Sequence, residues 1–284
     1  MISQQFEYAA PKTLKAALGL IAAGGKPLAG GMSLIPMMKL RLAGPERLID
    51  LARIKSLSYI KRHGASLHIG ATTTHYDIEN SNAVRGKCPL LAETAAAIGD
   101  VQVRNVGTIG GSVAHNDPSA DYPAALQALE ATIVIKSATA ERTVTADQFF
   151  VDTFMTVLEP GEIVTEIIVP VEASRTGTSY QKVAQPASGF AIVGVAARIE
   201  RSGGNISLAR IGITGLSNRA FRAYATEKAL EGTSGSDAEI QAAAALATDD
   251  VDANSDLHAS ADYRKHLATV YTSRALKAAL SRAS

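Results

Sequence analysis

The sequence predicts an α+β protein built from two packed units. The chain has 284 residues, which is more than one hydrophobic core of ordinary size usually holds. Apolar residues make up 46% and charged residues 19% of it, as in folded globular proteins. Helix and strand patterns are mixed in the first part of the chain, and strands precede helices in the last part. We expect a first unit over residues 1–175 and a second over residues 176–284.

The first unit opens with a β-α-β arrangement. One apolar face and the stop signal at Gly24-Gly25 predict a helix over residues 11–23. Ser33 is placed to cap a second helix. Strands are predicted over residues 26–29, 47–51 and 66–70.

The rest of the first unit is predicted to mix helices with strands. Residues 101–114 alternate short apolar residues with glycine, which predicts tight turns between brief strands. Helices are predicted over residues 90–98 and 122–129, and strands over residues 132–135, 142–145 and 163–169.

A polar stretch over residues 171–178 separates the second unit from the first. A glycine turn at residues 202–205 predicts a hairpin. The predicted strands cover residues 179–183, 190–201 and 207–216. The predicted helices cover residues 220–231, 237–247 and 260–282.

Charge and cysteine content exclude several classes of partner and site. The net charge is +1 without a basic block, so neither nucleic acid nor an anionic membrane is an expected partner. No stretch reaches the roughly 18 apolar residues that span a bilayer, and no signal peptide is recognisable, so we expect a cytoplasmic protein. Cys88 is the only cysteine, whereas an iron–sulfur cluster needs about four thiolates. The six histidines lack ligand spacing, so no metal site is expected.

Two glycine motifs carry the chemical signal. In the first, a strand ends at Gly30-Gly31 and a helix follows Ser33, an arrangement whose free N–H groups suit a pyrophosphate. A plain glycine turn capped by Ser33 explains the same residues. In the second, Gly110-Gly111 lies between hydroxyl residues and can expose several N–H groups as a nest for phosphate oxygens. Asp121 follows, where it could accept hydrogen bonds from ribose hydroxyls or cap a helix.

Neither motif is the G-x-G-x-x-G dinucleotide fingerprint, and no P-loop occurs, so a dinucleotide site here would need both loops. Together they resemble the FAD-binding medium subunit of molybdenum hydroxylases, a family that includes the carbon monoxide dehydrogenase flavoprotein subunit and the flavin segment of xanthine dehydrogenase. The matching runs are Ala-Gly-Gly-x-Ser-Leu-Ile-Pro-x-Met-x-Leu-Arg over residues 29–41 and Thr-Ile-Gly-Gly-Ser-x-Ala-x-Asn-Asp-Pro-x-x-Asp-x-Pro over residues 108–123. Residues 180–197 and the helix containing Tyr263-Arg264 also match. Met32 departs from the family, in which many members have His or Gln.

The resemblance implies a vanillyl-alcohol-oxidase (PCMH) type FAD-binding domain of two α+β subdomains. A C-terminal α+β domain, with a three-stranded antiparallel sheet plus helices, would follow it. The two glycine loops would hold the pyrophosphate of FAD, and Asp121 would lie on the adenosine side. For Lys182 the alternative is a solvated strand charge, and for Val164 it is core packing. The implied FAD-binding residues are Leu28, Ala29, Gly30, Gly31, Met32, Ser33, Leu34, Ile98, Thr108, Ile109, Gly110, Gly111, Ser112, Asp121, Val164 and Lys182.

The resemblance also implies electron transfer, with no catalytic residue on this chain. A large partner would hold molybdopterin and a small partner two [2Fe–2S] clusters, in a dimer of heterotrimers. The final acceptor stays open among a quinone, NAD, oxygen and others. A stand-alone flavin oxidase is the alternative function, with His75, Tyr76 and His115 as candidate acid–base residues. A scaffold that has lost FAD is a third reading, which the intact glycines disfavour.

Overall fold

The computed structural model describes residues 3–283 and shows an α+β protein, as predicted. The first subdomain has a parallel sheet in the order β1-β3-β2. Its strands are β1 (Glu7–Ala9), β2 (Lys26–Leu28) and β3 (Arg47–Asp50), and its helices are α1 (Leu14–Ala22) and α2 (Leu34–Lys39). Thr13 caps α1 by accepting from the Ala16 N–H, and the buried face of α1 packs on Ile49.

The second subdomain contains a five-stranded sheet whose pairs are all antiparallel. The order in this sheet is β4-β5-β10-β6-β7. The strands of the subdomain are β4 (Ile60–His63), β5 (Ser66–Gly70), β6 (Thr132–Lys136), β7 (Glu141–Thr145), β8 (Phe150–Asp152), β9 (Met155–Thr156) and β10 (Ile163–Pro170). Its helices are α3 (His75–Asn80), α4 (Asn82–Lys87), α5 (Pro89–Ala96), α6 (Val101–Val106), α7 (Ile109–His115), α8 (Asp121–Ala128) and α9 (Ala146–Phe149).

Residues 101–114 form helices, so the prediction of turns between brief strands was wrong. Asp100 starts α6 by accepting from the Val103 N–H at 2.8 Å, and Thr108 caps α7 in the same way. Gly110 lies in the first turn of α7, where an added Cβ would be 2.7 Å from the carbonyl oxygen of Ala71. Glycine is used there because the helix packs closely on the neighbouring backbone, and not because the chain turns.

Over residues 176–283, the C-terminal unit contains a four-stranded antiparallel sheet and three α-helices, of which the first and the last pack on the sheet. The order of its strands is β11-β12-β13-β14. A three-stranded sheet was predicted, and the fourth strand was missed. That strand has only two residues, which pair with Gly212 and Ile213. The strands are β11 (Thr176–Ala184), β12 (Ala191–Ser202), β13 (Asn205–Thr214) and β14 (Phe221–Arg222), and the helices are α10 (Tyr224–Leu230), α11 (Asp237–Ala245) and α12 (Ala261–Arg282).

The C-terminal sheet packs directly on helix α8 of the second subdomain. The hydroxyl oxygen of Thr214 lies 2.8 Å from the carbonyl oxygens of both Pro118 and Ala120, which share its single O–H donor. Gly212 on β13 lies so close to α8 that an added Cβ would be 1.9 Å from the carbonyl oxygen of Ala124. The two units therefore share a close-packed interface. The boundary between residues 175 and 176 stays a prediction.

Within residues 3–283, no helix has the length and apolar character needed to cross a membrane. In the same part, no cluster of His, Cys, Asp and Glu side chains is arranged to hold a metal ion.

We expect Gly212→Ala to destabilise the protein, because the new methyl group overlaps the Ala124 carbonyl across the interface. Overpacking of this kind costs about 1 to 3 kcal/mol of unfolding free energy. Gly86→Ala is the matched control, since Gly86 lies exposed in α4 with nothing within 4 Å of an added Cβ. The control should be neutral or stabilising by about 0.5 to 1 kcal/mol. Denaturant unfolding of both variants measures the difference, and equal stabilities would contradict the interface.

Candidate functional site

The two glycine segments lie side by side, although they are far apart in the sequence. An added Cβ at Gly30 would be 2.2 Å from the carbonyl oxygen of Val106, just before the second segment. An added Cβ at Gly111 would face the Cβ of Ala29 at 3.8 Å. The segments therefore form two adjoining walls.

Both walls line a cavity of about 440 Å³. Fourteen of the sixteen sequence-predicted site residues line it, and Ile109 and Lys182 do not. The lining residues among the sixteen are Leu28, Ala29, Gly30, Gly31, Met32, Ser33, Leu34, Ile98, Thr108, Gly110, Gly111, Ser112, Asp121 and Val164. Ile109 is fully buried in the main core instead.

The first glycine segment offers free backbone donors. The N–H groups of residues 30–34 have no acceptor within residues 3–283. Gly31 has a φ of +72°, a conformation that favours glycine. Ser33 precedes α2 as predicted, but its side chain makes no capping hydrogen bond there. These N–H groups fit the oxygens of a phosphate.

The second segment differs, because its N–H groups are already used. Ile109 donates to the Thr73 carbonyl at 3.1 Å, and Gly110 donates to the Ala71 carbonyl at 2.8 Å. Gly111 donates to the hydroxyl of Thr108 at 3.2 Å, a long hydrogen bond. This segment therefore does not form the open nest that its glycines suggested. It shapes the cavity as the start of a helix.

Asp121 is the first residue of α8 and is almost completely buried. Its carboxylate accepts from the Tyr180 hydroxyl at 2.6 Å and from the Lys182 ammonium at 2.9 Å. Burial raises the pKa of Asp121, and Lys182 and Tyr180 offset part of that rise. Ala120 holds the N-cap position of α8, so Asp121 is not the helix cap.

The three candidate acid–base residues are placed differently. His75 lines the cavity and is buried, and its Nδ1 has no partner within residues 3–283. Burial, together with the nearby Arg104, lowers the pKa of His75 to about 4. His115 also lines the cavity, and burial lowers its pKa as well. Tyr76 is exposed and lies outside the cavity. Both histidines are therefore mainly neutral at pH 7.

Two further segments line the cavity that the sequence did not predict. Phe154, from the turn between β8 and β9, lines the cavity, and so do Ser188, Gly189 and Phe190 before β12. No motif marks these residues in the sequence. In the structure, the side chains of Phe154 and Phe190 are exposed. Cys88 is fully buried and away from the cavity, and burial raises the pKa of its thiol.

Comparison with known families gives two matches in chain order. Residues 4–172 match the FAD binding domain in molybdopterin dehydrogenase, and residues 178–279 match the CO dehydrogenase flavoprotein C-terminal domain. The chain belongs to the FAD-binding medium subunits of the molybdenum hydroxylases. It is therefore a flavoprotein subunit of an oxidoreductase, and FAD is its cofactor.

Relatives of this medium subunit match it from end to end. The carbon monoxide dehydrogenase medium chain of Hydrogenophaga pseudoflava is 42% identical over 99% of both chains. The glyceraldehyde dehydrogenase medium chain of Sulfolobus acidocaldarius is 37% identical over 98% of this chain and 99% of its own. Among solved structures, the Hydrogenophaga pseudoflava carbon monoxide dehydrogenase that lacks the Mo-pyranopterin moiety superposes with a TM-score of 0.97. That chain is 44% identical, with complete coverage of both chains.

The residues present fit FAD. The free N–H groups of residues 30–34 suit the pyrophosphate, and Ala29, Gly110 and Gly111 line the same cavity without a long side chain. Apolar side chains at Ile98 and Val164 suit ring systems.

We expect Gly111→Val to weaken FAD binding, because Gly111 lines the cavity and an added Cβ there would already lie 2.8 Å from the Thr108 Oγ1 and 3.8 Å from the Ala29 Cβ. A steric cost of about 1 to 3 kcal/mol corresponds to an affinity loss of roughly 10- to 100-fold. Gly19→Val is the control, since nothing lies within 4 Å of an added Cβ in that exposed part of α1. Fluorescence titration of the FAD-free chain gives both dissociation constants. Unchanged binding by Gly111→Val would contradict this wall of the site.

His75 should make stability depend on pH. Its pKa is about 4 in the folded chain and about 6.5 when unfolded, so the unfolded state binds the extra proton between these values. The folded state therefore loses up to about 3 kcal/mol of stability as the pH falls from 7.5 to 4. His75→Gln cannot take up this proton, so its stability should fall less over the same range. Denaturant unfolding at several pH values measures both slopes, and parallel slopes would contradict the buried neutral histidine.

Proposed function

We propose that this chain is the electron-transfer subunit of a molybdenum hydroxylase complex. It takes electrons from [2Fe–2S] clusters on a partner chain and passes them to an external acceptor. This proposal depends on a cavity that fits FAD in a chain with a single cysteine. That cysteine, Cys88, is buried and does not line the cavity. Because a cluster needs about four thiolates, the clusters belong on another chain.

The proposed partners are the chains that would hold the other cofactors of the complex. The similar proteins are named as medium chains. This supports two partners for the present chain, a large molybdopterin-binding subunit and a small iron–sulfur subunit. We place the complex in the cytoplasm as a dimer of heterotrimers. The net charge of +1 gives no reason to add nucleic acid or a membrane as a partner.

Individual residues have distinct roles in this proposal. The N–H groups of residues 30–34 hold the pyrophosphate, and Thr108 to Ser112 form the adjoining wall. Ile98 and Val164 give apolar contacts, and Asp121 is proposed on the adenosine side. FAD supplies the redox chemistry, and the chain binds it and limits the access of water.

A stand-alone flavin oxidase would instead need an acid–base group in the cavity. His75 and His115 are the candidates that line it. Neither makes a side-chain hydrogen bond to a carboxylate within residues 3–283, so neither is set up as an oriented acid–base pair.

The test compares the isolated FAD-loaded chain with the assembled complex, mixed anaerobically with substrate while flavin absorbance is recorded. Carbon monoxide and glyceraldehyde, named by the relatives, are the first substrates to try. We expect reduction only in the complex, and no iron in the isolated chain. In a complex carrying Gly111→Val and depleted of FAD, substrate should still reduce the clusters while transfer to the acceptor stops. Rapid reduction of the isolated chain would favour the oxidase, and iron bound to it would overturn the division of labour.

A further inference from the structure

The C-terminal sheet presents charged side chains to the first unit, away from the cavity. Cross-strand pairing places Thr178, Arg198 and Arg210 in one row across β11, β12 and β13. Gly212 follows Arg210 by two residues on the same strand and lies against Ala124 of α8. Because side chains two residues apart on a strand share a face, this row faces the first unit.

The first unit answers these arginines with carboxylates. Glu130, just after α8, lies 3.0 Å from the Nε of Arg210, 3.1 Å from the Nη1 of Arg222 and 3.9 Å from the Nη1 of Arg198. Three neighbouring strands of the second unit therefore direct an arginine to one carboxylate of the first. The interface between the units is held by charge as well as by close packing.

Glu172 is the carboxylate nearest to the link between the units. It follows β10, and its N–H donates to the Lys87 carbonyl oxygen at 2.8 Å. Its Oε1 is buried and has no hydrogen-bond partner within residues 3–283, and the same is true of the hydroxyl oxygens of Thr176 and Thr178 and of the Nε of Arg198. An ionised carboxylate is costly to bury unless hydrogen bonds and opposite charge compensate for the lost water. The ionised form of Glu172 is therefore poorly accommodated in the closed interface.

Charged groups from several elements face Glu172. Burial raises the pKa of Glu172 to about 7, Arg198 on β12 opposes the rise, and the negative charge of Glu93 on α5 adds to it. Glu93 in turn lies 2.5 Å from the Nη1 of Arg282 on α12. The thiol of Cys88, just before α5, also faces the Glu172 carboxylate. Glu172 therefore changes its charge near neutral pH, inside the interface.

We propose that these groups form a proton-sensitive latch between the two units, which neutral Glu172 keeps closed and ionised Glu172 loosens. When the latch opens next to the link, water reaches the carboxylate and offsets its charge. The latch members are Glu93, Glu130 and Glu172 of the first unit and Arg198, Arg210, Arg222 and Arg282 of the second.

The direction of the effect follows from proton binding. In the opened latch the pKa of Glu172 returns to its ordinary value of 4.5, so between pH 4.5 and about 7 only the closed form holds the proton. The closed form therefore loses stability as the pH rises through this range. From pH 6 to pH 8, these two pKa values give an opening constant that rises about tenfold.

Cys88 provides a built-in reporter for the first experiment. It is the only cysteine of the chain, and it is fully buried beside Glu172. A thiol reagent labels it only when the structure opens, so the labelling rate of the full chain with FAD bound is measured from pH 6 to pH 8 for the wild type and for Glu172→Gln. Glutamine is neutral at every pH, and the ratio of the two rates cancels the ionisation of the thiol itself. We expect the ratio of wild type to variant to rise about tenfold.

Glu141→Gln is the matched control. Glu141 pairs with Lys136 at 2.7 Å on the exposed edge strand β7, and it is not part of the latch. Its replacement also removes one paired carboxylate. We expect its labelling rate to equal that of the wild type at each pH, because an exposed ion pair contributes little to stability.

Hydrogen exchange of the wild-type chain needs no variant and remains decisive if Glu172→Gln folds poorly. The amide of Glu172 donates to Lys87, and that of Tyr180 donates to the carboxylate of Glu93 at 3.1 Å. Protection at both amides should fall about tenfold from pH 6 to pH 8. At each pH it should also stay below the protection of Ile167, in the centre of the five-stranded sheet.

Three results would overturn the latch. A ratio of labelling rates that is constant with pH would show that the charge of Glu172 does not matter for opening. A ratio that falls with pH would show that ionised Glu172 closes the interface through Arg198 instead. Equal protection at Glu172, Tyr180 and Ile167 would mean that the interface opens only when the whole chain unfolds.

Discussion

The cavity depends on backbone-to-backbone contact between segments that side chains would hold apart. Gly30 lies against Val106 and Gly107, and Gly110 lies against Ala71, in each case closer than a Cβ permits. The hydrogen bond from the Gly110 N–H to the Ala71 carbonyl then fixes helix α7 on the end of β5. Close-packed protein interiors leave such contacts little freedom, so the two walls have a fixed separation. The N–H groups of residues 30–34, in the first segment, have no acceptor in the part of the chain that the structure describes.

The helices and strands that the sequence predicted are those with enough residues to show a hydrophobic period. Strands β10, β12 and β13 and helix α12 lie where alternation or helical spacing placed them, within a few residues at most ends. Helices α6 and α7 were missed because each is at most seven residues long and Gly110-Gly111 lowers helix propensity. Local side-chain caps at Asp100 and Thr108 start these helices. The contact of Gly110 with Ala71, which fixes α7, is tertiary and has no local signal in the sequence. Strand β14 has two residues, too few for any pattern.

The residues of the site also fall into two groups, those in contiguous motifs and those that only the fold brings together. Residues 28–34 and 108–112 are contiguous motifs in the sequence, and the structure brings them, except Ile109, to the lining of one cavity. It did not show which wall keeps free N–H groups, because that depends on Ala71 and Thr73 as acceptors. Phe154 and the Ser188–Phe190 segment carry no local signal and reach the cavity only through the packing of the two units. The carboxylate of Asp121 and the ammonium of Lys182 likewise meet only in the folded chain.

The Ser188–Phe190 segment also has a consequence for biosynthesis. It belongs to the second unit, so it is synthesised after both glycine segments. Chains grow at roughly 5 to 20 residues per second, so the delay is several seconds. A nascent first unit lacks this wall and the Lys182 ammonium, and so presents FAD with an incomplete enclosure. The complete lining of the cavity therefore requires that residues up to the start of β12 have been synthesised.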